Sequence, residues 1–114
     1  MMNKSILNAC HTEGFKEDEL YDAYKIFFGT LVSESRLKII NLLLDGKKNV
    51  SEVMDKLKMD QTSVSHDFAR LKQCGFVLSE REGKFVYYSL NKNINGLMKM
   101  IEEHMGKHCI HILH

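Results

Sequence analysis

The segment from Asp60 to Leu90 leaves this chain few ways to fold. It opens on an aspartate, a good helix cap, and runs Gln61-Thr62-Ser63-Val64-Ser65-His66-Asp67-Phe68-Ala69-Arg70-Leu71-Lys72-Gln73-Cys74 before Gly75. Val64, Phe68 and Leu71 recur at helical spacing, and glycine is the favoured residue just past a helix end. Two β-type runs follow at once, Phe76 to Ser79 and Phe85 to Leu90, split by Glu82-Gly83. A glycine between two such runs reads as a hairpin turn. A short capped helix feeding straight into a hairpin fits only a handful of small folds.

The rest of the chain is helical in pattern. Leu20, Tyr24, Phe27, Phe28 and Leu31 predict a first helix over Asp18 to Thr30, with Glu17, Asp18 and Glu19 in its first turn, where they oppose the helix dipole. Ser33 or Ser35 caps a second helix through Leu37, Ile39, Ile40, Leu42, Leu43 and Leu44, which Gly46 stops. This apolar stretch is the expected centre of the core. Ser51 is expected to cap a third, short helix bearing Val53, Met54 and Leu57. Only Lys58, Met59 and Asp60 separate it from the helix that Asp60 caps, so the pair reads as a helix-turn-helix. After the hairpin, Ile94, Met98, Ile101, Met105, Cys109 and Ile112 lie on one stripe of a last helix. Residues 1 to 16, with Cys10, His11 and Gly14, read as an N-terminal arm, and residues 17 to 114 as one domain. The expected class is mostly α with a β-hairpin, a winged helix-turn-helix in the order α-α-α-α-β-β-α.

At 114 residues there is room for one core and not for a second. Proline is absent, as suits helices joined by glycine and polar turns. No apolar run reaches the ~18 residues that would cross a bilayer, and the polar start Met1-Met2-Asn3-Lys4-Ser5 is not a signal peptide. A cytoplasmic location without a membrane partner is expected. The 3 cysteines at 10, 74 and 109 are too few and too spread for a disulfide scaffold. An enzyme is not expected either. There is no glycine-rich phosphate loop, nucleophile elbow or zinc-hydrolase helix, and His108-Cys109 are sequence neighbours rather than a spatial dyad.

The helix after Asp60 carries hydroxyls, an amide and an imidazole on its N-terminal half, where a DNA major groove is read. Gln61, Thr62, Ser63, Ser65 and His66 lie away from the Val64 and Phe68 side and suit base edges or phosphates. Arg70, a turn further on, is placed for a phosphate or an acidic neighbour. Arg81 and Lys84 flank the Gly83 turn and are placed for minor groove or backbone, with Glu80 and Glu82 partly cancelling them. Asp67 repels phosphate and is expected to point away from it. Tyr87 and Tyr88 read as hairpin packing. The plain alternative makes the polar residues of this helix cap and surface groups only. A net charge of +1 gives no global support to nucleic-acid binding, so any such contact rests on locally placed charge.

With these blocks in order, the chain resembles the ArsR/SmtB family of winged-helix repressors over roughly residues 27 to 105. The family's Asp-Pro-Thr-Arg-Leu appears as Ser33-Glu34-Ser35-Arg36-Leu37, without the proline. Its Ser-Gln-Ser-x-Val-Ser-x-His-Leu appears as Asp60-Gln61-Thr62-Ser63-Val64-Ser65-His66-Asp67-Phe68. Its wing, Arg-x-Gly-Arg-x-Val-Tyr-Tyr-x-Leu, appears as Arg81-Glu82-Gly83-Lys84-Phe85-Val86-Tyr87-Tyr88-Ser89-Leu90. The resemblance implies a homodimer built on the first and last helices, and release from double-stranded operator DNA when an inducer binds. The last-helix stripe set against Tyr24, Phe27 and Phe28 is also more apolar surface than a small monomer should expose.

Two inducer sites of the family can be checked by residue. The seats of a Cys-Val-Cys metal site are Asn49, Val50 and Ser51, which offer no thiolate. The seats of an Asp-x-His pair fall within Asn91 to Asn95, which hold neither residue. What remains is the tail. His104, His108 and His111 form one stripe on a helix, and a histidine pair four apart can hold one metal ion. Cys109, or Cys10 and His11 from the arm, would complete the shell, and such a donor set suits Zn, Ni or Co. Two other readings stay open for the tail: a dimer-core Cys109 beside a polar histidine stripe, or a redox-active Cys10–Cys109 pair. Cys74 reads as packing. The expected function is a homodimeric repressor released by a transition-metal inducer; the alternatives are a thiol-based redox sensor and a winged-helix protein-interaction module that binds no DNA.

Overall fold

The computed structural model describes residues 16–109. The arm with Cys10 and His11, and the end of the chain with His111, lie outside the described residues. In chain order the elements are α1 (Glu17–Leu31), α2 (Glu34–Leu43), α3 (Val50–Leu57), α4 (Gln61–Gln73), β1 (Val77–Glu82), β2 (Phe85–Leu90) and α5 (Lys92–His108). This is the expected order, a winged helix-turn-helix.

The helix ends are set by caps. Ser33, not Ser35, accepts from the Arg36 N–H and opens α2. The cap of α3 corrects the expectation of Ser51. Asn49 accepts from the Glu52 N–H while the Glu52 carboxylate accepts from the Asn49 N–H, each at 2.9 Å, a reciprocal box that starts the helix two residues earlier. Asp60 caps α4 as expected, through the Ser63 N–H at 2.7 Å. Lys58 closes α3 in the left-handed region at φ 55°, a conformation that disfavours a side chain and makes the turn into α4 tight.

The strands are antiparallel, with Val77 opposite Leu90 and Glu82 opposite Phe85. β1 therefore extends past Ser79 to the turn, because the charged residues Glu80 and Glu82 pair through their backbones as readily as apolar ones. Gly83 makes the turn at φ +64°, where a side chain would be strained. Lys48, just before α3, exchanges two backbone hydrogen bonds with Tyr88, at 3.0 and 2.8 Å, and so fastens the α2–α3 loop to the hairpin.

The core is built by Ile39, Ile40 and Leu43 of α2, Val53 of α3, Val64, Phe68 and Leu71 of α4, then Phe76, Val77 and Ile94. The ring of Phe68 stacks on Tyr88 with centroids 3.9 Å apart and planes 6° from parallel. Phe27 packs on Phe76 at 5.0 Å. Ile94 is buried in the core, and Met98 and Phe27 are half-buried against it, so part of the expected dimer stripe is taken up within the protomer. The apolar side chains left exposed on the outer helices are Tyr21, Ile26 and Phe28 of α1 and Met100 and Met105 of α5. Among the described residues no helix is long and apolar enough to cross a membrane.

The box at Asn49 sets one test. Asn49→Ala is expected to cost about 1 kcal/mol in urea unfolding, since it removes the side-chain oxygen that accepts from the Glu52 N–H. Ser51→Ala, on the exposed side of the same turn, is expected to stay within about 0.5 kcal/mol of the parent. Equal losses would return the cap to Ser51.

Candidate nucleic-acid interface

α4 is amphipathic by division of labour. Val64, Phe68 and Leu71 have no measurable exposure, so the helix cannot roll about its axis without opening the core. Its other face is held outward. Gln61, Thr62, Ser65 and His66 are exposed in the first two turns, and among the described residues no hydrogen bond occupies their side chains. Amide, hydroxyl and imidazole groups are thus left to a partner.

Ser63 differs from its neighbours. Its hydroxyl donates to the second oxygen of Asp60 at 3.2 Å, and its N–H takes the first, so this residue serves the cap. These bonds, with the Ser63 N–H first, hold the Asp60 carboxyl below the usual aspartate range. Arg70 also stands apart from the reading group. It is half-buried, and its Nε donates to the Thr30 hydroxyl at 2.9 Å, neither to an acidic neighbour nor outward.

The wing departs from the expected cancellation of charge. Glu82 does not offset Arg81 and Lys84 but forms an ion pair with Lys47 of the α2–α3 loop, and Glu82 raises the pKa of Lys47 through that hydrogen bond. Lys47 also lies 5.2 Å from the centre of the Tyr87 ring. Arg81 and Lys84 remain exposed at the turn, Arg81 within 3.5 Å of the Gly83 carbonyl and Lys84 beside the Phe85 ring. Sequence reasoning missed Lys47, whose role depends on a partner 35 residues away.

It also missed the partner of Asp67. The expectation that this carboxylate turns from the phosphates agrees with the structure, where it is 6% exposed. There it accepts from the Ser35 hydroxyl at 2.6 Å and from Arg36 Nη1 at 3.2 Å. The signal was present as an acidic residue among the neutral polar ones of that helix, and as an arginine with no stated partner. Thr30 is a third such residue. It is fully buried in α1, donates to the Ile26 carbonyl at 2.8 Å and lies 3.1 Å from Cys74 Sγ. Cys74 is therefore a packing residue with a polar contact.

At the far end of the molecule, the rings of His104 and His108 lie 4.9 Å apart on the last turns of α5 and are exposed. Cys109 caps that helix, its N–H donating to the Met105 carbonyl at 3.0 Å. Among the described residues no group of three or more histidines, cysteines or carboxylates is placed to hold a metal. The structure thus brings two of the suggested ligands together, and Cys10, His11 and His111 lie outside the described residues.

The sequence profile described as bacterial regulatory protein, arsR family, matches residues 33–79. The chain is 31% identical over 67 residues to the transcriptional repressor SdpR of Bacillus subtilis, an alignment covering 59% of this chain and 74% of that protein. It is 33% identical over 64 residues to a probable mercury resistance operon repressor of Streptomyces lividans, covering 56% of this chain and 51% of that one. The fold matches the solution structure of the homodimeric winged helix-turn-helix DNA-binding domain of Mycobacterium bovis Mb0332 with a TM-score of 0.74. Identity there is 26%, over 82% of this chain and 87% of that one.

The cap at Asp60 has a definite pH signature. Its folded pKa lies below the unfolded value of about 3.9, so the cap stabilises the fold above that pH and is lost as pH falls through the depressed value. Asp60→Ala is expected to be less stable than the parent at neutral pH, with the gap closing in acid. A gap of the same size at about pH 7 and about pH 2 would contradict the carboxylate cap.

Proposed function

This chain belongs to the ArsR family of bacterial regulatory proteins, and on that premise we propose that it is a homodimeric repressor reading operator DNA with the outer face of α4 and the wing. The observation that carries the reading is the pair of faces on α4. One is locked into the core, and the other presents Gln61, Thr62, Ser65 and His66 with no partner among the described residues. A helix fixed in that way can enter a major groove in one orientation, which base readout demands.

The roles divide by chemistry. Ser65 and His66 are assigned to base edges, Gln61 and Thr62 to bases or phosphates. Arg81 and Lys84 are assigned to phosphates beside the wing; such contacts set register and affinity but carry no sequence. Two protomers would present two such heads to half-sites one turn of DNA apart. The exposed Tyr21, Ile26 and Phe28 of α1 with Met100 and Met105 of α5 are assigned to the seam between them. Membership of a DNA-binding family sets aside the reading as an interaction module without DNA.

For the inducer, we propose a transition-metal ion such as Zn, Ni or Co at His104 and His108. Their spacing of one helical turn and exposed rings suit two imidazole ligands, and a mercury resistance repressor is among the relatives. A four-coordinate site needs further donors, for which Cys109, His111, Cys10 and His11 are the candidates. A bound ion would tie the end of α5 to its surroundings, and α5 borders the assigned seam.

Three outcomes are expected. Ser65→Ala with His66→Ala should leave the dimer folded and weaken operator binding by roughly 2–5 kcal/mol, at ~1–3 for each base contact. Binding should fall steeply with salt, because phosphate contacts release counterions, and sedimentation at micromolar concentration should find a dimer. Unchanged affinity, or a monomer, would sink the corresponding assignment. Titration of the reduced dimer with Zn, Ni and Co should lower DNA affinity by roughly 5- to 150-fold. If His104→Ala with His108→Ala keeps the response, the tail is not the sensor.

A further inference from the structure

Arg36 joins three helices with one guanidinium. Its Nε donates to the Thr30 carbonyl at 2.7 Å and its Nη2 to the Gly29 carbonyl at 3.4 Å, both in the last turn of α1. Its Nη1 donates to Asp67 of α4 at 3.2 Å. The pair is well sheltered, with side-chain exposures of 15% and 8%. The second oxygen of Asp67 is taken by Ser35 at 2.6 Å, so both carboxylate oxygens are engaged. A parallel tie runs from Arg70 of α4 to the Thr30 hydroxyl at 2.9 Å.

The arrangement has two properties that bulk packing lacks. First, it is directional. A guanidinium's planar fork accepts only a narrow range of angles between its acceptors, so it specifies how the helices lie as well as that they touch. Second, it contributes little net stability. A sheltered ion pair loses hydration on burial, and replacing both partners by apolar groups is often neutral or stabilising. α1 packs most extensively on α2, and Phe27 and Leu31 seat it against the apolar core; the polar side chains add directional links from it to α4.

We propose that Arg36 and Asp67 are positioning residues for DNA binding, which set the angle between the reading helix α4 and the helix α1 assigned to the dimer seam. The proposal rests on the DNA-reading function of α4. In a dimer both reading heads hang from the shared seam, so an angular error between α1 and α4 appears twice and in opposite senses. Two half-sites fixed on one duplex cannot follow such an error.

The test replaces the pair by apolar groups of similar size, Arg36→Met with Asp67→Leu. The variant is expected to fold, dimerise and melt close to the parent. Residual dipolar couplings of α1 and α4 amides should report a changed or broadened interhelix angle. Operator affinity should fall about tenfold or more, the scale of a single misplaced base-reading side chain. The salt dependence should change little, since the phosphate contacts remain. Parent-like affinity, or an unchanged angle, overturns the proposal. Should the double variant fail to fold, Arg36→Lys keeps the charge but cannot span Asp67 and both carbonyls. It should shift the angle and weaken binding, and parent-like values for both again overturn the proposal. If the parent itself binds no operator DNA, the functional reading fails instead, and the couplings still decide whether the clamp sets the angle.

Discussion

Phe68 is where α4, the hairpin and the approach to α3 become one body. Its ring lies flat on Tyr88, and Tyr88 is hydrogen-bonded through its backbone in both directions to Lys48. An aromatic pair of this kind contributes about 0.5–1.5 kcal/mol beyond the area it buries. Its greater consequence is geometric. α4 stands on β2 through a buried contact, β2 holds β1 through the hairpin ladder, and the loop before α3 is fastened to the same strand. The helix and the wing therefore move together, and whatever sets one sets the other.

Charge is arranged by the same economy of placement. The chain is nearly neutral, yet three negative groups close to α4 and the wing turn are occupied within the fold. Asp60 accepts from its own helix, Asp67 is buried on Arg36 and Ser35, and Glu82 is held by Lys47. What remains outward on the first turns of α4 is neutral and polar, and what remains outward at the wing turn includes Arg81 and Lys84. Arg81 and Lys84 are thus left without an ion-pair partner among the described residues, while Glu82 is held by Lys47.

Stability and orientation are divided between different residues. The apolar side chains of α2, α3 and α4 supply the burial that holds the domain together, and they do so without specifying angle closely. The polar junction of Thr30, Arg36, Asp67 and Arg70 adds directional contacts where α1 meets the rest. A fully buried threonine in α1 makes sense in this light. Its hydroxyl donates to the turn behind it and still accepts from Arg70, joining α1 to α4.

Local pattern alone determined the order of elements, the bounds of β2, the cap at Asp60 and the inward face of α4. Each depends on residues within a turn or a strand of one another, where spacing and propensity act directly. Ser51 was a plausible cap for α3, but Asn49 and Glu52 form a reciprocal box, which satisfies two backbone groups where a serine satisfies one. The end of β1 lay hidden because charged residues mask a strand whose pairing is made by its backbone. Only the tertiary structure decided the partners of Asp67, Arg70, Lys47 and Thr30, and which apolar residues of α1 and α5 turn inward. Those outcomes join groups dozens of residues apart, and no local periodicity carries the distance between two side chains that meet only after the chain has folded.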